Sequence, residues 1–146
     1  MAISKAHAHW EGSLLEGAGT VTTDSPALDG VVMTWKSRIG GEPGTTPEEL
    51  LGAAHASCFS MAFSGSLAKA GHPPRSLDVN AEVEFGPVEG GNAVTAVTLE
   101  VAGDVPGIDE SEFERLAEGA KVGCPISKAL AGNVEITLRA RLTSVA

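Results

Sequence analysis

The chain is poor in cysteine and in basic residues, and each shortage excludes a class of protein. Two cysteines in 146 residues cannot form the dense disulfide framework of a small secreted domain. Ten Lys and Arg residues against nineteen Asp and Glu give a formal net charge of -9, and no basic run is present. A chain with this charge is a poor ligand for nucleic acid or for an anionic membrane. The sequence therefore predicts neither of these partners.

Long hydrophobic runs are scarce as well. The first residues, MAISKAHAHWEG, contain no apolar segment of the kind found in signal peptides. Residues 50–68 carry no charged side chain and have the length of a membrane span, but they are rich in Ala, Gly and Ser and include His55. This composition favours a buried helix in a soluble core. We therefore expect a protein of the cytosol, a reducing compartment, without a membrane segment.

The pattern of apolar residues and turn signals predicts an α+β fold in a single domain of residues 1–146. No repeat, low-complexity segment or linker interrupts the chain. Short strands are expected first, then a long helix, a long antiparallel pair, two further helices and a last strand. The predicted strands cover residues 5–11, 20–24, 31–38, 76–85, 93–101 and 135–142.

The first helix has the clearest boundaries. Thr46 precedes Pro47, and Glu49 stands three residues after Thr46, a spacing typical of a capping box. Gly71 ends the helix. An apolar stripe that recurs every three or four residues places Cys58 among small and apolar neighbours, which are Leu51, Ala54, Met61 and Gly65.

Cys58 and Cys124 are the candidates for redox or nucleophilic chemistry. A cysteine in an apolar stripe is usually an unreactive core residue, because burial raises the pKa of a thiol. Cys124 stands at a predicted N-cap before Pro125, where the helix dipole favours a thiolate, although a plain capping residue is the simpler alternative. The two cysteines are 66 positions apart, and this spacing does not show that they meet. Without a C-x-x-C motif or matched histidines, no zinc site is predicted.

Arg38, Glu48 and His55 are further candidates around the first helix. Arg38 is reached by elimination, because the other four arginines fall on predicted surface faces or in a loop. Glu48 has no capping role, unlike Glu49, and a favourable interaction with the helix dipole is its structural alternative. His55 stands one turn before Cys58, so a Cys–His nucleophile pair is a further hypothesis.

Glu48 and Cys58 cannot meet on one helix. They are ten residues apart, which is about 15 Å along a helix axis. A carboxylate does not span that distance to a thiol. If both belong to one site, the simplest geometry brings Glu48 from a second copy of the chain.

Four segments resemble a known family. They are HAHWEG at residues 7–12, GTTPEELLGAAHASCFSMA at 44–62, VPGID at 105–109 and AKVGCPIS at 120–127. In this order they are similar to the OsmC branch of the OsmC/Ohr peroxidase family, and the likeness covers nearly the whole chain. The resemblance implies an α+β fold in which two protomers intertwine, antiparallel sheets wrap two central helices, and each active site lies at the subunit interface.

The resemblance also implies residue roles. The peroxidatic cysteine of the family falls on Cys58, the resolving cysteine on Cys124 and the active-site glutamate on Glu48. The sister branch, which confers organic hydroperoxide resistance, carries its arginine in an early hairpin. No arginine precedes Arg38 here, so the activating arginine falls on Arg38 in the SR-x-GGE segment.

The implied reaction is a thiol-dependent reduction of organic hydroperoxides, with hydrogen peroxide as a second substrate. Cys58 becomes a sulfenic acid, forms a disulfide with Cys124 and is restored by a dithiol, which in this family is often a lipoylated protein. No metal, haem or flavin cofactor is needed. Two alternatives stay open: a Cys–His thioesterase or esterase, in which Cys124 is dispensable, and a redox-sensing dimer without turnover.

Overall fold

A computed structural model describes residues 1–144, and these residues form an α+β arrangement of six strands and four helices. The predicted fold class is confirmed. The chain divides into two compact units, Met1–Leu50 and a second unit that starts at Leu51, and the single domain of residues 1–146 stays a prediction. In chain order the elements are β1 (Ala6–Glu11), β2 (Ala18–Thr23), β3 (Val31–Met33), α1 (Trp35–Arg38), α2 (Pro47–Lys69), β4 (Ser76–Val88), β5 (Gly91–Asp104), α3 (Glu110–Gly123), α4 (Pro125–Leu130) and β6 (Glu135–Leu142).

The first unit is built on an antiparallel sheet in the order β1–β2–β3. Strand β3 ends at Met33, so the strand predicted for residues 31–38 is wrong in its second half, which forms α1 instead. A capping box is the reason. The Thr34 hydroxyl accepts a hydrogen bond from the Ser37 N–H, and the Ser37 hydroxyl accepts one from the Thr34 N–H. Arg38 therefore lies in the last turn of a short helix.

The second unit is built on a sheet in the order β4–β5–β6. The long antiparallel pair of β4 and β5 is present, as predicted. The expectation of antiparallel sheets is wrong at one ladder, since β6 pairs with β5 in parallel. Helices α3 and α4 connect these two strands, and a helical crossover returns the chain to the sheet in the same direction.

Helix α2 buries a face that recurs every four residues in the core of the second unit. Its fully buried side chains are His55, Phe59, Phe63 and Leu67. The rings of Phe59 and Phe63 are 5.6 Å apart, and Phe63 lies 5.1 Å from the ring of Phe113 on α3. A fully buried phenylalanine contributes about 2 kcal/mol to folding, so this aromatic row anchors α2.

The apolar stripe predicted around Cys58 is not the buried face. Met61 is 70% exposed, and Cys58 is half-buried at the margin of the core. Small and apolar residues are spread almost evenly around α2, so periodicity could not separate its faces. Among the described residues 1–144, no helix is long and apolar enough to cross a lipid bilayer.

Helix α3 starts at an Asp109 N-cap. The Asp109 carboxylate accepts a hydrogen bond from the Glu112 N–H at 2.8 Å, and Phe113, Ala117 and Ala120 are buried. Gly103 on β5 makes room for this helix, because a Cβ atom there would lie 2.6 Å from Phe113 Cε2. The close approach of α3 to the sheet therefore depends on a glycine.

Candidate active site

The two cysteines come together in the second unit. Cys58 lies on α2 and is half-buried, whereas Cys124 lies between α3 and α4 and is fully buried. Both are free thiols, and their side chains are close enough that each shifts the pKa of the other. The fold thus brings together two residues that are distant in the sequence.

The backbone of Cys124 is held on both sides. Its N–H donates to the Ala120 carbonyl at 2.8 Å and ends α3. Its carbonyl accepts from the Lys128 N–H at 3.0 Å and starts α4, with Pro125 in the first turn. The N-cap position predicted for Cys124 is confirmed, and two helix ends fix where its thiol lies.

The two thiols differ in acidity. Burial raises the pKa of Cys58, and the adjacent Cys124 raises it further. Burial also acts to raise the pKa of Cys124, but contacts from Ser127, Ile126 and Cys58 outweigh it and lower the pKa of Cys124 below its ordinary value. The backbone N–H groups act electrostatically here, since the Cys124 side chain forms no capping hydrogen bond.

Arg38 and Glu48 form an ion pair in the first unit. Arg38 Nη2 donates to Glu48 Oε1 at 2.5 Å, and Arg38 Nε lies 3.2 Å from both carboxylate oxygens. The Glu48 side chain is 9% exposed and that of Arg38 is 31% exposed. Glu49 is separate from this pair and follows the Thr46 cap, whose hydroxyl accepts from the Glu49 N–H at 2.9 Å. Glu48 thus holds the guanidinium with both carboxylate oxygens.

A cavity of about 380 Å³ lies beside Arg38 in the first unit. Its lining is mainly apolar and consists of Trp10, Leu14, Met33, Thr34, Trp35, Arg38 and Pro47. No role was predicted for the two tryptophans. Tryptophan is rare in this chain, which has only two, and rarity alone could have drawn attention to them. Nothing in their spacing indicated that both would line one cavity.

His55 is fully buried, and its ring does not bond to Cys58. Its Nε2 atom lies 2.8 Å from Ser127 Oγ, while Nδ1 has no hydrogen-bond partner among the described residues. Burial lowers the pKa of His55, so the ring is neutral at physiological pH. The predicted Cys–His nucleophile pair is therefore not formed. Ser127, part of the quoted GCPIS segment, was missed because its partner lies 72 positions away.

Within residues 1–144, no group of three or more His, Cys, Asp and Glu side chains is arranged to hold a metal ion. Two pairs of residues offer reactive chemistry: the thiols of the second unit, and the Arg38–Glu48 ion pair of the first. Two adjacent thiols of unequal acidity can donate two electrons and close a disulfide. A guanidinium held by a carboxylate can stabilise a developing negative charge.

Comparison with known proteins defines the family. The model of the OsmC-like protein family matches residues 40–139, a range that includes both cysteines and Glu48 but not Arg38. The chain is 47% identical over 140 residues to Peroxiredoxin OsmC of Escherichia coli (strain K12), covering 96% of each chain. It is 34% identical over 122 residues to the Organic hydroperoxide resistance protein of Xanthomonas axonopodis pv. citri (strain 306), covering 82% of this chain and 84% of that one.

Solved structures give the same grouping. The organic hydroperoxide resistance protein OhrB of Bacillus subtilis superposes with a TM-score of 0.75 at 27% identity, over 94% of this chain and 98% of that one. An organic hydroperoxide resistance protein from Elizabethkingia anophelis gives a TM-score of 0.74 at 26% identity, over 97% and 99% of the two chains. The chain belongs to the OsmC-like protein family.

Proposed function

We propose that this protein is a thiol-dependent peroxidase that reduces organic hydroperoxides through Cys58 and Cys124. The observation that carries the proposal is the pair of adjacent free thiols in a chain of this family. Reduction of a hydroperoxide to an alcohol and water takes two electrons, which two thiols supply when they become a disulfide. The enzyme class follows from this chemistry, and no haem or flavin enters it.

The reaction proceeds in two displacements. The Cys58 thiolate attacks the terminal peroxide oxygen, the O–O bond breaks, and the departing alkoxide takes a proton to become an alcohol. Cys58 is then a sulfenic acid. The Cys124 thiolate attacks the Cys58 sulfur, the S–S bond forms, and hydroxide leaves and takes a proton to become water.

Arg38 supplies the positive charge that Cys58 needs. Burial and Cys124 both raise the pKa of Cys58, so the thiolate must be stabilised before it can attack. The guanidinium stabilises this thiolate and the charge that develops on the peroxide oxygens. Glu48 orients the guanidinium through its two carboxylate oxygens.

The active form is a homodimer whose sites combine residues of two copies. About 15 Å of helix axis separates Glu48 from Cys58 on one chain, so the Arg38–Glu48 pair is contributed by the partner copy. Exposed apolar side chains support an interface, since Met61, Leu15 and Ile39 are each 60% exposed or more. A surface of this kind is covered when two copies associate.

Organic hydroperoxides fit the site better than hydrogen peroxide. The cavity beside Arg38 offers Trp10, Leu14 and Trp35 as contacts for an alkyl or aryl group. Phe59 and Phe63, the aromatic residues nearest to Cys58 on α2, are fully buried in the core and cannot contact substrate. Hydrogen peroxide has no group to fill the cavity and is the weaker substrate.

A dithiol reductant completes the cycle. One of its thiolates attacks the Cys58–Cys124 disulfide, and the second closes the reductant's own disulfide and frees both cysteines. A lipoyl group, carried on a protein, has this chemistry, and a reducing compartment such as the cytosol would keep it supplied.

Steady-state assays test the proposed function. We expect dihydrolipoamide to support turnover with cumene hydroperoxide and tert-butyl hydroperoxide, and slower turnover with hydrogen peroxide. The same preparation should not hydrolyse a thioester substrate at a rate that depends on Cys58. Peroxide-dependent formation of one disulfide without further turnover would identify a redox sensor and refute the enzyme.

A further inference from the structure

A buried histidine and a buried serine bond to each other beside the thiol pair. His55 on α2 is fully buried, Ser127 on α4 is 4% exposed, and 2.8 Å separates His55 Nε2 from Ser127 Oγ. Burying an imidazole costs free energy that a leucine at the same position would not cost. The peroxidase mechanism above uses neither residue, so the pair needs a physical explanation.

The hydrogen-bond pattern defines the tautomer of His55. A neutral imidazole carries one proton, on Nδ1 or on Nε2. Nδ1 has no partner among the described residues, and buried N–H groups without a partner are rare because they lose their bond to water. The proton therefore resides on Nε2, which donates it to Ser127 Oγ, and Nδ1 keeps only a lone pair.

This tautomer directs the Ser127 hydroxyl. With its oxygen accepting from His55, the hydroxyl has its own hydrogen left to donate, and the Cys124 thiol is the neighbouring acceptor that it stabilises. Two residues of α2 act on Cys124: Cys58 acts directly, and His55 acts through Ser127. From α4, the backbone N–H groups of Ile126 and Ser127 also act on it. The His55–Ser127 hydrogen bond thus leaves the Ser127 hydroxyl hydrogen to point towards the sulfur of Cys124, the N-cap residue of α4.

We propose that His55 and Ser127 are positioning residues for disulfide formation: the buried histidine orients the Ser127 hydroxyl, which holds Cys124 as the thiolate that attacks the sulfenic acid at Cys58. The proposal rests on the proposed function and deepens it. In this step the thiolate electron pair forms the S–S bond, the S–O bond of the sulfenic acid breaks, and the departing hydroxide takes a proton to become water. The pair acts on the second displacement and leaves the first unchanged.

Single-turnover reduction of cumene hydroperoxide separates the two steps. Peroxide consumption reports the attack by Cys58, and the disappearance of dimedone-reactive sulfenic acid reports the attack by Cys124. Ser127→Ala and His55→Leu should leave peroxide consumption at the wild-type rate. They should slow disulfide formation near neutral pH by about tenfold, the change in thiolate fraction that one pKa unit produces. Ser127→Thr keeps the hydroxyl and should restore the rate.

Ser66→Ala is the matched control, because the Ser66 hydroxyl bonds to the Ala62 carbonyl within α2. It should leave both steps unchanged. Raising the pH until Cys124 is ionised in every variant should bring disulfide formation in Ser127→Ala back to the wild-type rate. A loss that persists at high pH would reveal a packing defect and overturn the proposal, as would equal rates for Ser127→Ala and Ser127→Thr near neutral pH.

A direct titration keeps this proposal separate from the peroxidase activity. In a Cys58→Ser background, the ultraviolet absorbance of the thiolate follows the ionisation of Cys124 alone. Adding Ser127→Ala should move this titration to higher pH. An unmoved titration overturns the role of Ser127 whether or not the protein is a peroxidase. A moved titration in a chain that consumes no hydroperoxide supports that role and refutes the proposed function.

Discussion

Cys124 ends helix α3, begins helix α4 and supplies a thiol. Its backbone is bonded to Ala120 on one side and to Lys128 on the other, so the sulfur has little freedom to move away from Cys58. A thiol placed in this way is ready to capture a sulfenic acid before a second peroxide oxidises it further. At the residue scale, the division of labour between the two cysteines is therefore the first property to test.

Cys58→Ser and Cys124→Ser should fail at different steps. Cys58→Ser should consume no hydroperoxide, because the nucleophile is gone. Cys124→Ser should consume one equivalent and then stall with a sulfenic acid, or a more oxidised sulfur, on Cys58. Mass spectrometry after stoichiometric peroxide distinguishes these states. Loss of the first turnover in both variants to the same degree would contradict the assigned roles.

Arg38 should set the reactivity of Cys58. Replacing it with Met removes the charge and keeps the bulk, so the pKa of Cys58 should rise and peroxide reduction should fall at least about tenfold, or about 1.4 kcal/mol of transition-state stabilisation. Arg38→Lys should recover little, because an ammonium group cannot make the planar pair with Glu48. The pH dependence of iodoacetamide alkylation in a Cys124→Ser background reports the pKa of Cys58.

Arg115→Met is the matched control for Arg38. Arg115 pairs with Glu112 on an exposed face of α3, with 67% of its side chain accessible, and its loss should change neither the pKa of Cys58 nor the rate. If Arg38→Met behaved like this control, another cation would have to activate Cys58, and Arg75 is the next to examine.

At the scale of the elements, the packing of α3 against β5 depends on the absence of a side chain at Gly103. Phe113 fills that space, with Cε2 and Cζ at 2.6 and 2.7 Å from where a Cβ atom would stand. Both are closer than carbon atoms approach in proteins, so a methyl group would push the ring into the aromatic row. The position of α3, and with it that of Cys124, depends on this contact.

Gly103→Ala should lower the free energy of unfolding by about 1–3 kcal/mol, the range found for overpacked cores. Gly119→Ala on α3 should have the opposite effect on stability, because apart from the adjacent backbone of its own helix nothing in the described structure lies within 4 Å of the added Cβ. It should raise stability by about 0.5–1 kcal/mol through the better helix propensity of alanine. Urea denaturation of both variants checks the signs, and a stable Gly103→Ala would show that Phe113 can move aside.

The helices and strands also show which structural features could be predicted from local sequence patterns and which could not. Helix boundaries are local, so the Thr46 cap and the Cys124 N-cap could be predicted from neighbouring residues. The second half of the strand predicted for residues 31–38 was wrong because the Thr34–Ser37 capping box was not recognised. The parallel pairing of β6 follows from the helical crossover, and no sequence pattern within the strand itself indicates it.

At the scale of the whole molecule, the proposed site requires two copies of the chain. Mixing inactive Glu48→Ala with inactive Cys58→Ser should restore activity, because half of the sites in a mixed dimer then have both residues intact. Subunit exchange is verified first with differently tagged chains. Mixed dimers no more active than their parents would show that Glu48 and Cys58 do not act across an interface.

The sequence by itself determined the α+β class, the helix caps, the family and the choice of Cys58, Cys124, Arg38 and Glu48 as candidates. These properties depend on local spacing and on motifs that are contiguous in the chain. Only the tertiary structure decided that Cys58 and Cys124 are neighbours, that α2 turns Phe59 and Phe63 inward, and that His55 bonds to Ser127. The physical reason is that α2 is apolar on nearly all sides and that Phe113, Cys124 and Ser127, which it contacts, lie 50 or more positions away. Which face of α2 is buried is then a property of the packed core.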